Sequence, residues 1–108
     1  MNPAESAVAK ALGDRLGGAG KVLSVALGRG SARITLELRG QPAPVEVFAE
    51  GLAWRPDGDH LVVSWETAGS SLEWADILIR EAGRRCDRQA RIPDSLRLTP
   101  LKLLLPRA

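Results

Sequence analysis

The only histidine of this 108-residue chain, His60, lies beside two carboxylates, Asp57 and Asp59. A carboxylate can orient an imidazole, and all three side chains can offer lone pairs to a metal ion. The same residues also spell Pro56-Asp57-Gly58-Asp59, which is what a tight turn needs for its own sake, and a turn tip lacks the water-excluding pocket that catalysis uses. Turn chemistry is therefore the expected role. One Cys and one His cannot supply the four protein ligands of a structural zinc site, and the single Cys86 forms no disulfide within the chain. Cys86 falls on an apolar helical stripe, where a thiol behaves as a small hydrophobe, although Arg84, Arg85 and Arg88 nearby would favour its thiolate if it were exposed.

Two glycine-rich stretches invite a phosphate-binding reading. Gly17-Gly18-Ala19-Gly20-Lys21 lacks the leading glycine of a P-loop, continues with Val22 in place of Ser or Thr, and runs into a strand pattern instead of a helix. Gly28-Arg29-Gly30 lacks a third glycine and lies between two strand patterns. These stretches are expected to end a helix and to close a hairpin. No catalytic constellation, cofactor motif or metal site is expected, which leans against an enzyme.

The surviving functional hints are charge and grease. Residues 1–79 carry a net charge of −3 and residues 80–108 a net +5. Arg80, Arg84 and Arg88 recur at helical spacing, followed by Arg85, Arg91 and Arg97, so one basic side could contact an anion or nucleic acid. Glu81 and Asp76 sit at distances that pair with arginines on the same helix, which makes a solvated, self-neutralised face the simpler expectation. Of three tryptophans, Trp54 and Trp65 are placed on a core face by strand register, whereas Trp74 is the one expected at an interface.

The elements that must position these residues are legible from periodicity. Asn2-Pro3-Ala4-Glu5 reads as a capped helix start over residues 1–17, with Ala4, Ala7, Val8, Ala11, Leu12 and Leu16 on one face. From Lys21 the period is two. Leu23, Val25 and Leu27 are expected opposite Leu36, Ile34 and Ala32 across a hairpin, and Val45, Val47 and Ala49 form a third strand. The large residues change parity at Gly51, which predicts a bulge there; Trp54 is then expected opposite Leu61 and Leu52 opposite Val63. A second helix over residues 71–88 is expected to start at a Ser70/Glu73 capping box and to pack Leu72, Ala75, Ile79, Ala82 and Cys86 on the sheet. The fold class expected is α+β within one domain, residues 1–108: a four-stranded antiparallel meander over residues 21–67 flanked by two helices, then an extended tail over residues 92–108. That tail could add as an edge strand or cross to a second copy.

A four-strand meander followed by a helix, over residues 21–88, is similar to the architecture of Whirly-type single-strand-binding domains, a resemblance that implies nucleic acid as a partner. The residues themselves point more strongly to a noncatalytic interaction domain that self-associates. Trp74, Ile77 and Leu78 on the helix, with Leu96, Leu98, Leu101, Leu103 and Leu105 in the tail, exceed what one sheet face can cover. A small apolar ligand roofed by the tail is a further alternative. No basic-then-apolar leader opens the chain and no apolar run approaches the roughly 20 residues of a membrane span, so no membrane partner and a cytoplasmic location are the expectations.

Overall fold

The computed structural model describes residues 2–94 and 98–108. Helix α1 (Pro3–Leu16) begins as its first four residues dictate: Asn2 Oδ1 accepts the Glu5 N–H at 2.8 Å, and Glu5 Oε1 accepts the Asn2 N–H at 3.0 Å. The other Glu5 oxygen accepts the N–H of Leu27 at 3.0 Å, so the capping residue also tethers the helix to an open strand edge. A 3-10 turn, Gly17–Ala19, leads into β1 (Gly20–Gly28), which pairs with β2 (Ser31–Leu38) across Arg29 and Gly30. Leu27 faces Ala32 and Val25 faces Ile34 as the alternation requires. A register shift between Val22 and Ser24 then puts Val22, not Leu23, opposite Leu36. Leu23 is extruded by this bulge and is 42% exposed.

Strand β3 (Val45–Glu50) continues past Gly51 into β4 (Ala53–Asp57), and β5 (His60–Ser64) continues into β6 (Thr67–Ser70). The two arms form one long hairpin that kinks midway. Gly51 has φ +68°, and a Cβ there would lie 2.4 Å from Glu66 Cγ. On the opposing arm the Glu66 N–H bonds the Glu50 carbonyl at 2.9 Å, and between the pairs Glu50–Thr67 and Ala53–Ser64 each arm has two residues, Gly51 and Leu52 on one and Trp65 and Glu66 on the other. The bulge expected at Gly51 does not form, because the register runs unbroken from Glu50 opposite Thr67 to Ala53 opposite Ser64; the left-handed Gly51 instead kinks the hairpin from one sheet into another. The first sheet has the order β1-β2-β3-β6; the second is β4-β5 with β7 (Gln89–Pro93). The hairpin turn is one residue pair tighter than expected, with Asp57 opposite His60, so Trp54 faces Val63 and Pro56 faces Leu61. The shift is by two, and every side chain keeps its face.

Helix α2 (Glu73–Arg85) starts two residues later and ends three earlier than expected. Asp87 and Arg88, with φ of 58° and 53°, reverse the chain into β7. The tail is not extended throughout: after β7 a short helix α3 (Thr99–Leu104) forms, and residues 106–108 run beside β4. Pro100 sits at the start of α3, where its missing N–H costs nothing. The end of the tail is bonded to β4. Trp54 Nε1 donates to the Lys102 carbonyl at 3.0 Å, the Trp54 N–H to the Pro106 carbonyl at 3.0 Å, and the Ala108 N–H to the Trp54 carbonyl at 2.7 Å. Among the described residues the buried apolar side chains are Ala4, Val25, Val45, Leu61, Val62 and Leu105, a small core for a chain of this length. The architecture is α+β with antiparallel sheets of four and three strands, and no described helix is long and apolar enough to cross a membrane.

Candidate functional site

Asp76 organises α2. One of its carboxylate oxygens accepts the N–H of Ser70 at 2.8 Å and the other accepts Arg80 Nε at 2.9 Å. These contacts, the Arg80 hydrogen bond first, hold its pKa below the ordinary aspartate value. The expected Ser70/Glu73 capping box is absent: Leu72 occupies the cap position, and the Ser70 hydroxyl donates to the Glu46 carbonyl at 2.8 Å. Gly69 lies beneath this junction, where a Cβ would come within 2.2 Å of Asp76 Oδ1 and 2.9 Å of Phe48 Cζ. Only a glycine lets the helix sit this close. Farther along, Gly83 packs near Trp65 Nε1 and is the one buried residue of α2.

Successive residues of a helix turn by about 100°, so Ala75, Ile79 and Gly83 face the sheet, Trp74 and Leu78 point away from it, and Ile77 lies on the flank, at the rim of the groove beside Thr67. The exposures agree: Trp74 is 54%, Ile77 60% and Leu78 59% exposed. Ala82 and Cys86, expected on the packed stripe, are exposed as well. The helix ends early and its contact line follows Gly83, so Cys86 sits at the cap with its Sγ 3.6 Å from the Gly83 carbonyl.

The interface residues expected in the tail separate from those on α2. Leu105 is buried in its own chain, Leu98 and Leu101 are half-buried, and Leu103 alone is strongly exposed, at 84%. Leu96 lies outside the described residues. Helix α3 packs beside α1 and against Trp54, whereas α2 packs on β6, so helix and tail do not form the joint surface their composition suggested. Nor does the tail roof a cavity between α2 and the sheet; the groove there, of about 420 Å³, is lined by Trp65, Thr67, Ile77, Arg80 and Arg84 among others and is open to solvent.

Four of the six arginines of the expected basic side are ion-paired where they stand, on three carboxylates. Arg80 is held by Asp76 at 2.9 Å, Arg84 by Glu81 at 2.7 Å, Arg85 by Glu81 at 3.3 Å and Arg91 by Asp57 at 3.3 Å. Glu81 is held below the usual glutamate range, first by the Arg84 hydrogen bond. Arg88 makes no ion pair among the described residues, and Arg97 lies outside them. Asp57 is turned to Arg91 across the second sheet and does not orient His60, and no group of three or more His, Cys, Asp or Glu among the described residues is placed to hold a metal ion.

The strand edges are a second feature that the sequence alone did not display. In β4, Trp54 turns its backbone away from β5 toward Pro106 and Ala108, so Pro56, two residues on, also faces outward. In β7, Arg88 and Asp94 turn inward to Trp65 and Asp59, which leaves Gln89, Arg91 and Pro93 facing out. The Gln89 N–H is directed to the Cys86 carbonyl at 3.3 Å. Each edge of the second sheet thus carries a proline at an outward position, and β7 presents a single free N–H, that of Arg91. On the first sheet the Leu27 N–H is taken by Glu5 and the Ser70 N–H by Asp76.

Comparison with family models, characterised proteins and solved structures finds no match for this chain.

Proposed function

We propose that this chain is a noncatalytic protein-interaction domain that self-associates through the outward face of α2. The observation that carries the reading is the surface itself. Trp74, Ile77 and Leu78, at i, i+3, i+4 spacing, are each more than half exposed. A lone exposed leucine needs no explanation, but three contiguous large apolar side chains including a tryptophan have the composition of an interface centre.

The total surface supports the same reading. The chain exposes 7013 Å² at 11.6 kDa. A folded monomer of that mass exposes about 5,800 Å², so roughly 1,200 Å² is in excess, close to what each partner of an obligate dimer buries. With its strand edges blunted by Pro56 and Pro93, the second sheet is poorly suited to strand addition, which leaves the helix face as the better route to association. A nucleic acid is the weaker occupant, because four of the six arginines that would hold phosphates already share Asp76, Glu81 and Asp57.

Sedimentation velocity at micromolar concentration tests the proposal. The wild-type chain is expected to run as a dimer, and Leu78→Asp, which buries a charge in any such interface, is expected to run as a monomer with an unchanged circular dichroism spectrum. A wild-type chain that stays monomeric overturns it.

A further inference from the structure

We infer that the groove between α2 and β6 is a binding site for a small organic acid, a carboxylate or phosphate monoester carried on an apolar body. It uses a different flank of α2 from the face proposed for self-association, sharing only Ile77, and does not depend on that proposal. Arg88 is fixed beside Trp65: its N–H donates to the Gly83 carbonyl at 2.7 Å, and its carbonyl accepts the Trp65 N–H at 3.1 Å. A Cβ added at Gly83 would lie 3.4 Å from Trp65 Nε1 and 3.8 Å from Arg88 Cγ, so the indole N–H and the stem of the arginine converge over that glycine. Among the described residues neither the indole N–H nor the Arg88 guanidinium has a hydrogen-bond partner or counter-ion. One carboxylate or phosphate group can accept from both. Gly83 supports the same reading. Glycine is unfavourable within a helix relative to alanine, and unlike Gly69 it is not required by close packing, since an added Cβ would make only ordinary contacts. Its absent side chain keeps the space between Trp65 and Arg88 open.

The rest of the groove sets the form of the ligand. Its volume of about 420 Å³ is at the small end of ligand pockets. Arg84 gives Nη2 to both oxygens of Glu81 and keeps Nε and Nη1 without a partner among the described residues, so a second cation with free donors lines the same groove. Arg80 belongs to the wall, bonded to Asp76 and reaching Thr67 Oγ1 at 3.5 Å. Ile77 precedes Arg84 by seven residues, about 10 Å along the helix axis, and Ile79 and Ala68 add apolar lining. An acid group at the arginine end, with one ring or a short alkyl chain extending toward Ile77, matches the groove at both ends. The two carboxylates on its edge are engaged elsewhere: Glu81 is held by Arg84 and Arg85, and Glu66 lies over Gly51, its Cδ within 2.6 Å of where a Cβ would be. A single acid group needs only the donors left unpaired, whereas a chain of phosphates needs the paired arginines as well, so a polyanion is the poorer fit.

The three indole N–H resonances of a proton–nitrogen correlation spectrum test the site, with Trp65 identified by its loss in Trp65→Phe. Hydrocinnamate probes the carboxylate and phenyl phosphate the phosphate monoester. At least one is expected to move the Trp65 resonance saturably while Trp54, already bonded to the Lys102 carbonyl, and Trp74, on another flank, stay in place. Hydrocinnamide, the neutral counterpart, is expected to move none of them. Arg88→Gln is expected to weaken binding about three- to fivefold. Gly83→Ala is expected to weaken it while melting no lower than the wild type. Leu78→Asp, whose substitution lies away from the groove, is expected to bind as tightly as the wild type. Equal shifts from hydrocinnamide, unchanged affinity in Arg88→Gln, or a Trp65 resonance that neither acid moves overturns the site, as does an oligothymidylate that moves Trp65 and Trp74 together. A monomeric wild-type chain that binds the acid loses self-association and keeps this site; a dimer whose Trp65 resonance stays in place does the reverse.

Discussion

Trp54 shows how much of this fold converges on one side chain. Its indole N–H ends on the Lys102 carbonyl of α3, its backbone pairs with residues 106 and 108, and the cations of Lys102 and Arg107 lie 5.6 and 5.5 Å from its ring centroid. Lys102 is itself fixed by Asp94 at 2.7 Å. A tryptophan with a buried polar handle is expected to keep it satisfied, and here the handle attaches the tail. Trp54→Phe keeps the apolar body and removes the donor, so it is expected to lower stability by about 1 kcal/mol, measured by urea denaturation. Trp74 has the same chemistry and the opposite fate. Strand parity alone places Trp54 on the inner face; the exposure of Trp74 follows from surplus apolar residues on one helix. The attachment of the tail to Trp54 was not legible, because Lys102 and Pro106 are about fifty positions away and nothing local specifies a carbonyl as the partner of an indole.

Among the elements, α2 is held to β6 through Asp76, and that attachment titrates. In the folded chain the Asp76 carboxyl is depressed by Arg80 and by the Ser70 N–H, so the folded state binds this proton less readily than the unfolded state does. Its contribution is therefore complete above the ordinary carboxylate range and is lost as pH falls through the depressed value. Asp76→Asn is expected to melt below the wild type at neutral pH, and the gap between the two melting temperatures is expected to close as the pH is lowered through the carboxylate range. A gap that stays constant with pH would assign the effect to lost packing. The start of α2 illustrates where a helix signal misleads: Ser70 and Glu73 have capping-box spacing, yet β3 claims the Ser70 hydroxyl through the Glu46 carbonyl. The start of α1 has no such competitor, and its capping box forms as written. The tail failed for a related reason. Leu96 and Leu98 alternate with polar residues like a strand, whereas Leu101, Leu104 and Leu105 can also lie on one side of a short helix, and only packing against α1 and Trp54 decides between the two periods.

At the scale of the whole molecule, the decisive quantity is a small core under a large surface. Six buried apolar residues among those described and 7013 Å² of exposed area are a weak basis for an isolated domain, so association and folding should be linked. The melting temperature is accordingly expected to rise with protein concentration for the wild type and to be independent of it for Leu78→Asp, as differential scanning calorimetry over a hundredfold concentration range can check.

Periodicity, caps and turn residues by themselves determined the α+β class, the antiparallel pairing, the face of the strand residues away from the Val22–Ser24 bulge and the exposure of Trp74, Ile77 and Leu78, because those follow from interactions within a few residues or across one hairpin. Tertiary structure alone decided that the long hairpin divides into two sheets at Gly51 and Glu66, that β7 and α3 replace an extended tail, and that prolines close the outer edges. Each of these depends on which distant backbone or side chain competes for the same hydrogen bond or the same volume, and that competition has no signature in local spacing.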